Sequence, residues 1–394
     1  DVSPNASNPD LRSTSGDDTI AGQINAGDAT SQTLESGDQI DGGAGTDRLN
    51  VNITDDSSSI TVAPEVNNVE EVFLRNTDSN GMEITLDASS VSGVDELRSR
   101  NANDSAVTTV SSVDNGDAVI SLRNSKELFT VEFNDNVVDG DSDAVSVRVS
   151  DGTDADLAVG GSSEDVETLT VDSSGASENV VTLDASTSSV GSANVTAVNV
   201  TGGQDLTLDD TNDNTVQAVD ASEATENGET VREVFTGDAD VTFGSVDAKN
   251  GDGVSFTGGD GDDEVDITNV TNVNDADATV ALSGDLGDDT FVVGNQLNDL
   301  SSGPELSIAG GDGTDTLDVT DGGSANDPLD NANIGGGDIT GIEAVSAALT
   351  GSSGVNTNVL SVGGVENVVI SNLDLSGSTA TVTANSGTDV TVAQ

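Results

Sequence analysis

Three copies of one nine-residue pattern recur along the chain at a constant interval. They begin at Gly258, Gly284 and Gly310 and read GGDGDDEVD, GDLGDDTFV and GGDGTDTLD. Each copy combines glycines, an aspartate at the sixth position and a large apolar residue at the eighth. A motif with a fixed period of about 20–50 residues is typical of repeat folds in which each copy forms one turn of a solenoid. The interval therefore predicts an all-β chain folded as a parallel β-helix, or β-solenoid.

Weaker repeats with a similar spacing extend this prediction to most of the chain. The segment VEEV at positions 69–72 returns as VDEL at positions 94–97, and the segment at positions 341–345 returns at positions 364–368. The apolar residues are mostly Val, Ile and Leu in short alternating runs, which is typical of strands. We therefore expect rungs of about 23–26 residues, long enough for three short strands and their turns.

The distribution of the turn motifs predicts three regions. Residues 1–65 carry two further turn signatures, a partial one at Gly16 and another at Gly42, and are expected to form an N-terminal entry region or cap, or the end of a preceding repeat unit. Residues 66–250 are expected to form solenoid rungs with other turn chemistry. Residues 251–394 are expected to continue the solenoid with dense Gly-Asp turns. No Pro-rich or Gly/Ser-rich linker separates these regions, so we expect one continuous domain.

The charge of the chain restricts its partners and its medium. The sequence contains 73 acidic and 10 basic residues, for a formal net charge of -63. Such a charge destabilises a compact state unless bound cations or salt offset the repulsion, which favours a marine or halophilic setting. Nucleic acid and anionic lipid are disfavoured as direct partners, since each requires a basic surface. No apolar run is long enough to predict a membrane span.

The residue types also restrict the metal chemistry. The chain has no cysteine and no histidine, so a metal site would be built from oxygen ligands, which suit hard cations such as Ca²⁺. Glycine carbonyls of a tight turn and the sixth-position carboxylate can supply such oxygens. The alternative is that Gly-Asp turns are simply favourable solvated turns. The candidate metal ligands are Asp18, Asp47, Asp260, Asp262, Asp263, Asp288, Asp289, Asp312, Asp315, Gly42, Gly258, Gly284 and Gly310.

At these motifs the chain resembles the RTX-type proteins of bacteria, and more closely their surface-layer branch. The resemblance is carried by GDDTI at residues 16–20, GDQIDGGAGTDRLNV at residues 37–51, and the strands NVEEVFL and GVENVVI. It implies an acidic, cysteine-free protein that is exported by type I secretion, binds calcium and assembles on the cell surface. RTX repeats usually run as consecutive nonapeptides, two to a turn. With one motif per rung, we expect a single column of ions along one corner.

The residue types favour a structural function over catalysis. The chain lacks His and Tyr and has only Lys126 and Lys249 as lysines, which leaves few bases near neutral pH. A zinc protease is excluded by the absence of His. We expect an extracellular structural protein, not an enzyme, whose copies assemble with calcium into a surface layer or filament. The alternative is an RTX-type adhesin or biofilm-matrix segment that binds surfaces or anionic cell-surface polysaccharide through calcium.

A series of arginines adds one further question. Arg75, Arg100 and Arg123 follow one another at nearly equal spacings, each followed by Asn. They could form a basic stripe that meets the acidic face of a neighbouring subunit. They could instead form an exterior ladder whose charges are neutralised by nearby Glu and Asp. The second interpretation is favoured on sequence alone.

Overall fold

Every regular element of the described chain is a β-strand, in a computed structural model of the protein. Among the described residues no helix is long and apolar enough to cross a membrane. The chain divides into two compact units, Asp1–Val198 and Asn199–Gln394. The structure describes residues 10–28, 30–54, 58–140, 142–163, 166–183, 195–209, 216–221, 225–226, 229–230, 239–242, 254–268, 270, 279–293, 305–320, 338–351, 355–358, 365–375, 380–383 and 386–392.

The first unit contains short strands of three to eight residues. They are β1 (Asp10–Arg12), β2 (Thr19–Ile24), β3 (Gln39–Asp41), β4 (Arg48–Ile53), β5 (Ile60–Val62), β6 (Glu65–Asn67), β7 (Glu71–Asn76), β8 (Glu83–Asp87), β9 (Glu96–Arg100), β10 (Val107–Val113), β11 (Val119–Arg123), β12 (Leu128–Phe133), β13 (Ala144–Ser150), β14 (Asp154–Gly161), β15 (Thr168–Ser174) and β16 (Asn179–Leu183).

The strands of the second unit follow in the same manner, the first of them starting at the last two residues of the first unit. They are β17 (Ala197–Gly202), β18 (Leu206–Asp209), β19 (Ala218–Asp220), β20 (Thr225–Glu226), β21 (Glu229–Thr230), β22 (Ala239–Thr242), β23 (Val254–Thr257), β24 (Glu264–Asp266), β25 (Thr279–Leu286), β26 (Thr290–Val292), β27 (Glu305–Asp312), β28 (Thr316–Thr320), β29 (Asp338–Thr340), β30 (Ala344–Gly351), β31 (Val355–Asn358), β32 (Asn367–Leu375), β33 (Ala380–Thr383) and β34 (Asp389–Val392).

Parallel pairing between successive rungs builds both units. In the first unit, β2-β4-β7-β9-β11-β13-β15 form one sheet, β5-β8-β10-β12-β14-β16 a second and β1-β3-β6 a third. In the second unit, β17-β19-β23-β25-β27-β29 lie in one sheet and β18-β22-β24-β26-β28-β30-β32-β34 in another, while β31 pairs with β33 and the short β20 and β21 pair antiparallel. The expected all-β solenoid fold is confirmed.

The register gives the length of the rungs. In the first unit Leu49 stands beside Val72, Val72 beside Leu97 and Leu97 beside Ile120, so each step spans about two dozen positions. In the second unit Val265, Phe291 and Leu317 follow one another at equal steps. Longer steps occur elsewhere, such as that from Val219 to its partner Phe256. The sheets therefore keep their register while the connections between strands absorb insertions.

In strands such as β2, β4, β8, β13 and β15, every second residue points into the solenoid, as the alternation of a β-strand requires. Stacked Leu, Val, Ile and Phe side chains form the interior, and Phe129, Phe133, Phe256 and Phe291 are among the largest fully buried groups. In residues 1–65, which were expected to form a cap, β2 and β4 lie in the same sheet as β7. The expected boundary between residues 250 and 251 lies outside the described residues.

Candidate metal centre

The sixth-position aspartates of the second unit form a column at one corner. Asp263, Asp289 and Asp315 each stand immediately before a strand, and the residues that follow them pair in register from β24 to β26 to β28. All three are buried, at no more than 1% exposure. The apolar residues two positions later are buried as well and hold this register. The equal spacing of the motifs therefore brings the three carboxylates together, one per rung.

Hydrogen bonds tie this column into a ladder. The backbone N–H of Ala239 donates to Asp263 Oδ1 (2.8 Å), that of Asp263 to Asp289 Oδ1 (2.9 Å) and that of Asp289 to Asp315 Oδ1 (2.9 Å). The N–H of Asp315 donates to Glu343 Oε2 (3.0 Å), where the ladder ends. A carboxylate that accepts a backbone N–H forms a charge-assisted hydrogen bond. Each of these carboxylates thus links its own rung to the rung before it.

The fifth position of the motif carries a second ladder that runs the opposite way. The N–H of Asp288 donates to Asp262 Oδ1, and the N–H of Thr314 donates to Asp288 Oδ1, both at 2.7 Å. Asp262 and Asp288 are exposed, as are the predicted ligands Asp260 and Asp312 at the third position. These four aspartates therefore lie on the solvent side of the turns, outside the buried column.

The second carboxylate oxygen, Oδ2, differs among the buried aspartates of the column in its hydrogen bonding. Asp263 Oδ2 accepts the N–H of Gly259 (3.0 Å). Asp289 Oδ2 and Asp315 Oδ2 are buried and accept no hydrogen bond. Burial raises the pKa of Asp289 to about 6 and also raises the pKa of Asp315, and repulsion from nearby acids adds to both shifts. A buried carboxylate oxygen without a partner is unfavourable, so these oxygens require a proton or a cation.

The first-position glycines define where these oxygens point. A Cβ placed on Gly284 would lie 1.8 Å from Asp289 Oδ2 and 2.6 Å from the carbonyl oxygen of Gly310. On Gly310 a Cβ would lie 2.3 Å from Asp315 Oδ2, and Gly258 is enclosed in the same way. A carboxylate oxygen and the glycine carbonyl of the next rung therefore meet above each glycine Cα. Only glycine leaves room for them.

The first unit repeats this construction near its N-terminal end. The N–H of Asp18 donates to Asp47 Oδ1 and the N–H of Asp47 donates to Glu70 Oε2, both at 2.7 Å. The opposite ladder is present too, since the N–H of Thr46 donates to Asp17 Oδ1 (2.9 Å). Asp47 is fully buried and its Oδ2 has no hydrogen-bond partner. Both units thus contain an aspartate turn with the same two hydrogen-bond ladders and a buried Oδ2 without a partner.

The predicted ligands of the first unit differ from one another in their surroundings. A Cβ on Gly42 would lie 1.7 Å from the carbonyl oxygen of Asn68 and 2.9 Å from Asp47 Cβ, so Gly42 resembles the first-position glycines of the second unit. Asp18 Oδ2 already accepts the N–H and the hydroxyl of Thr14, both at 2.7 Å, and these bonds lower the pKa of Asp18. Asp47 is therefore the better placed of the two aspartates for a cation.

Sequence analysis missed the glutamates that end the ladders. Glu70 and Glu343 each lie two residues after a backbone position with positive φ, Asn68 (53°) and Gly341 (68°). A third glutamate, Glu167, accepts the N–H of Asp143 at 2.7 Å through Oε2. The signal was the repeated Val/Ile-Glu-x-apolar segment, which predicted strands correctly but gave no sign that its glutamate replaces the aspartate of the turn motif.

The oxygen atoms around the buried aspartates are of the types that a hard cation such as Ca²⁺ binds. Within the described part of the chain, no group of three or more Asp, Glu, His or Cys side chains gathers to hold a metal. The carboxylates are spread one per rung, so a cation here would draw on backbone carbonyls as well. Unpartnered carboxylate oxygens beside glycine carbonyls are the oxygen ligands that calcium takes. In chemical type the residues present fit Ca²⁺.

A second buried carboxylate lies inside the first unit and was not predicted. Glu127 is fully buried, and burial raises its pKa to about 7 although hydroxyl hydrogen bonds oppose the shift. Ser99 Oγ donates to Glu127 Oε1 and Thr108 Oγ1 donates to Oε2. Ser99 also shares a 2.6 Å hydrogen bond with Ser125, and Asn76 Nδ2 donates to Thr108 Oγ1 (3.1 Å). This polar cluster is satisfied by its own members.

Comparison of the chain with protein-family models, with curated proteins and with solved structures gives no match.

Proposed function

We propose that the chain is a calcium-binding extracellular structural protein that assembles with copies of itself into a surface layer or filament. The observation that carries this proposal is the set of buried carboxylate oxygens without a hydrogen-bond partner, at Asp47, Asp289 and Asp315. They recur at one position of a repeated turn in both units. Chance burial of a charged group would not follow the motif in this way.

The residues proposed to hold calcium follow from this geometry. In the second unit they are the carboxylates of Asp289 and Asp315, with the carbonyl oxygens of Gly310 and Gly341 beside them. In the first unit they are the carboxylate of Asp47 and the carbonyl of Asn68. Bound calcium would neutralise buried negative charge and connect adjacent rungs. The exposed aspartates of the same turns raise the negative potential that attracts the ion.

Assembly is proposed from the charge and the repeat together. Copies that each carry a net charge of -63 repel one another, and bound cations reduce that repulsion. A solenoid presents the same backbone spacing on every rung, which suits contacts that repeat along its length. The resemblance of the turn motifs to RTX-type surface-layer proteins supports the same function.

Thermal unfolding tests the calcium part of the proposal. The chain is melted in excess chelator, in millimolar calcium and in millimolar magnesium at fixed low salt. A ligand that binds only the folded state stabilises it by about 2.7 kcal/mol per site at a hundred times its Kd. We expect calcium to raise the melting temperature well above the magnesium value. Equal melting temperatures in all three solutions would overturn the calcium proposal.

Sedimentation and negative-stain microscopy test the assembly part. We expect monomers in chelator and ordered arrays or filaments after calcium is added. A chain that binds calcium, remains monomeric and then binds an anionic polysaccharide such as alginate would be an adhesin or matrix segment instead. That result would overturn the structural assignment while leaving the calcium sites in place.

A further inference from the structure

Six of the 10 basic residues of this acidic chain lie on the outer face of one sheet of the first unit. We call this surface the arginine face. It extends over five consecutive strands of that sheet, β4, β7, β9, β11 and β13. Its members are Arg48, Arg75, Arg98, Arg100, Arg123 and Arg148.

An aromatic ring organises the centre of the arginine face. Phe73 lies on the outer side of β7, and the guanidinium groups of Arg48 and Arg98 lie 4.2 and 4.1 Å from its ring centroid. That of Arg100 lies 5.5 Å away. Guanidinium groups stack on aromatic rings with favourable cation–π energy. Phe73 is thereby buried on the outer face, and the three cations are held close together in fixed positions.

Arg100 is the least satisfied cation of the face. Its Nε is buried without a hydrogen-bond partner, and its Nη2 donates to the neutral Asn50 Oδ1 at 3.2 Å. Burial lowers the pKa of Arg100, and repulsion from four neighbouring arginines adds to the effect. A half-buried guanidinium that faces a neutral group and other cations gains strongly from an added anion.

Acidic neighbours neutralise only part of the arginine face. Arg48 pairs with Glu71, Arg98 with Glu96, Arg123 with Asp151 and Arg148 with Asp172. Among the described residues, no carboxylate lies in ion-pair contact with Arg75 or Arg100. Arg100 stands in register with Arg123 on the next strand. Of the three arginines in the ladder that sequence analysis favoured, Arg123 is therefore neutralised by an acidic neighbour, whereas Arg75 and Arg100 are not.

We propose that the arginine face is the docking surface for the acidic surface of a second copy of this chain. The inference rests on the proposed self-assembly and names one of its contacts. Every copy carries many exposed carboxylates, whereas cations are concentrated on the arginine face within the described chain. The acidic surface of one copy is therefore complementary in charge to the arginine face of another. Charge complementarity of this kind directs association and fixes register.

The repeat of the fold makes this contact selective. Stacked parallel strands are about 4.8 Å apart, so arginines on successive rungs of one copy have the same period as carboxylates on successive rungs of another. A hollow of about 200 Å³ opens on the same face, and its lining includes three of the arginines, three serines and one acidic residue, Asp151. Asp151 already pairs with Arg123 there, so the serine hydroxyls and the remaining guanidinium N–H groups are the donors for an inserted carboxylate side chain.

Charge reversal at one exposed arginine tests the inference. Arg75→Glu is compared with Lys126→Glu, which makes the same change of charge at an exposed site outside the face, and with Arg75→Lys, which keeps the charge. Association in calcium is measured by analytical ultracentrifugation, and the melting temperature reports folding. We expect Arg75→Glu to weaken association at least tenfold, with Lys126→Glu and Arg75→Lys close to wild type. Added salt should weaken wild-type association in the same way.

The outcomes separate this inference from the proposed function. A wild-type chain that stays monomeric in calcium overturns the self-assembly on which the inference rests. Assembly that is equally strong in Arg75→Glu and wild type overturns the arginine face alone. Binding of alginate by the monomer that is lost in Arg75→Glu, with assembly unchanged, assigns the face to an anionic polysaccharide and also overturns the inference.

Discussion

Glu127 in the first unit and Asp289 in the second are both buried carboxylates, and their oxygens are satisfied differently. In the first unit both oxygens of Glu127 accept hydroxyl hydrogen bonds, from Ser99 and Thr108. In the second unit one oxygen of Asp289 accepts the backbone N–H of Asp263, and the other has no hydrogen-bond partner. Burial is the largest cause of the raised pKa in both, about 7 for Glu127 and about 6 for Asp289.

The difference separates a structural carboxyl group from a candidate ligand. Glu127 lies in a self-contained network, so a proton is enough to remove its unfavourable charge. Asp289 leaves one oxygen beside a glycine carbonyl, at a position that repeats on the next rung. Desolvation alone therefore does not mark a metal site; an unpartnered oxygen at a repeated position does. The two carboxylates should respond to different solutes, Glu127 to pH and Asp289 to calcium as well.

The largest effect is expected from the pH response of Glu127. Its pKa is near 4.5 in the unfolded chain and about 7 in the folded one. The folded chain therefore binds the extra proton between these values, and its contribution to stability is lost as pH rises through that window. Glu127→Gln removes the ionisation, and a difference of about 2.5 pKa units corresponds to about 3 kcal/mol. Urea unfolding at pH 4 and pH 8 measures it.

We expect the stability of Glu127→Gln relative to wild type to increase by that amount between pH 4 and pH 8. The comparison with wild type removes the general effect of the net charge, which is common to both chains. A relative stability that stays constant across the range would mean that folding does not raise the pKa of Glu127. The two buried carboxylates would then not differ in the way described.

The next largest effect is expected when Asp289 is replaced by Asn. Its Oδ1 still accepts the N–H of Asp263, and its amide nitrogen takes the place of the unpartnered oxygen beside the Gly310 carbonyl. In chelator we expect the variant to be at least as stable as wild type. In calcium it should lack the stabilisation of one ion, about 2.7 kcal/mol at a hundred times the Kd. Calorimetry in both solutions measures the difference.

Asp285→Asn is the matched control because it removes the same charge from an exposed position of the same turn. It should keep most of the calcium response. If the two variants lose the response equally, calcium is held by the diffuse negative potential of the turns and not by the buried oxygen.

Much of the fold was accessible from sequence because the register of a solenoid repeats. The constant interval between the motifs predicted the stacking of Asp263, Asp289 and Asp315, and the strands that follow them pair at that same interval. Steps of other lengths, such as that between Ile20 and Leu49, were not predicted. Turn motifs report the period only where they are present, whereas parallel pairing tolerates loops of any length outside the sheets.

The site was predicted less completely, for a physical reason. The motif identified which aspartates face the turn, but whether an oxygen is left without a donor depends on contacts from the next rung. Glu70 and Glu343 complete the ladders without belonging to a Gly-Asp motif. Glu127 immediately precedes β12 and has the same parity along the chain as the buried Phe129 and Val131. That alternation was a usable signal for its burial, although not for its partners.

A smaller effect is expected from the glycine that encloses Asp289. A Cβ on Gly284 would overlap Asp289 Oδ2 and the carbonyl oxygen of Gly310, and overpacking of this kind costs roughly 1–3 kcal/mol. Gly284→Ala should therefore lower the free energy of unfolding and weaken the calcium response together. Gly16→Ala is the control, since a Cβ there has nothing within 4 Å. Equal stabilities of the two variants would contradict the enclosed geometry of the column.

The smallest effect, from Thr108→Val, tests the comparison most directly. The change keeps the volume of the side chain but removes the hydroxyl that donates to Glu127 Oε2, so Glu127 acquires an oxygen without a partner, as Asp289 has. Loss of the bond to Glu127 should cost roughly 1 kcal/mol, more at pH 8 than at pH 4, because the ionised carboxylate needs the donor more. Asn76 Nδ2, which also donates to the Thr108 hydroxyl, keeps the carbonyl oxygen of Val107 as an acceptor at 3.4 Å. Melting curves in chelator and in calcium should coincide, since no repeated glycine carbonyl is placed beside Glu127 to share a cation. A calcium response in this variant would mean that any buried carboxylate oxygen without a partner can bind the ion. The repeated position in the turns would then not be what makes Asp289 a calcium ligand.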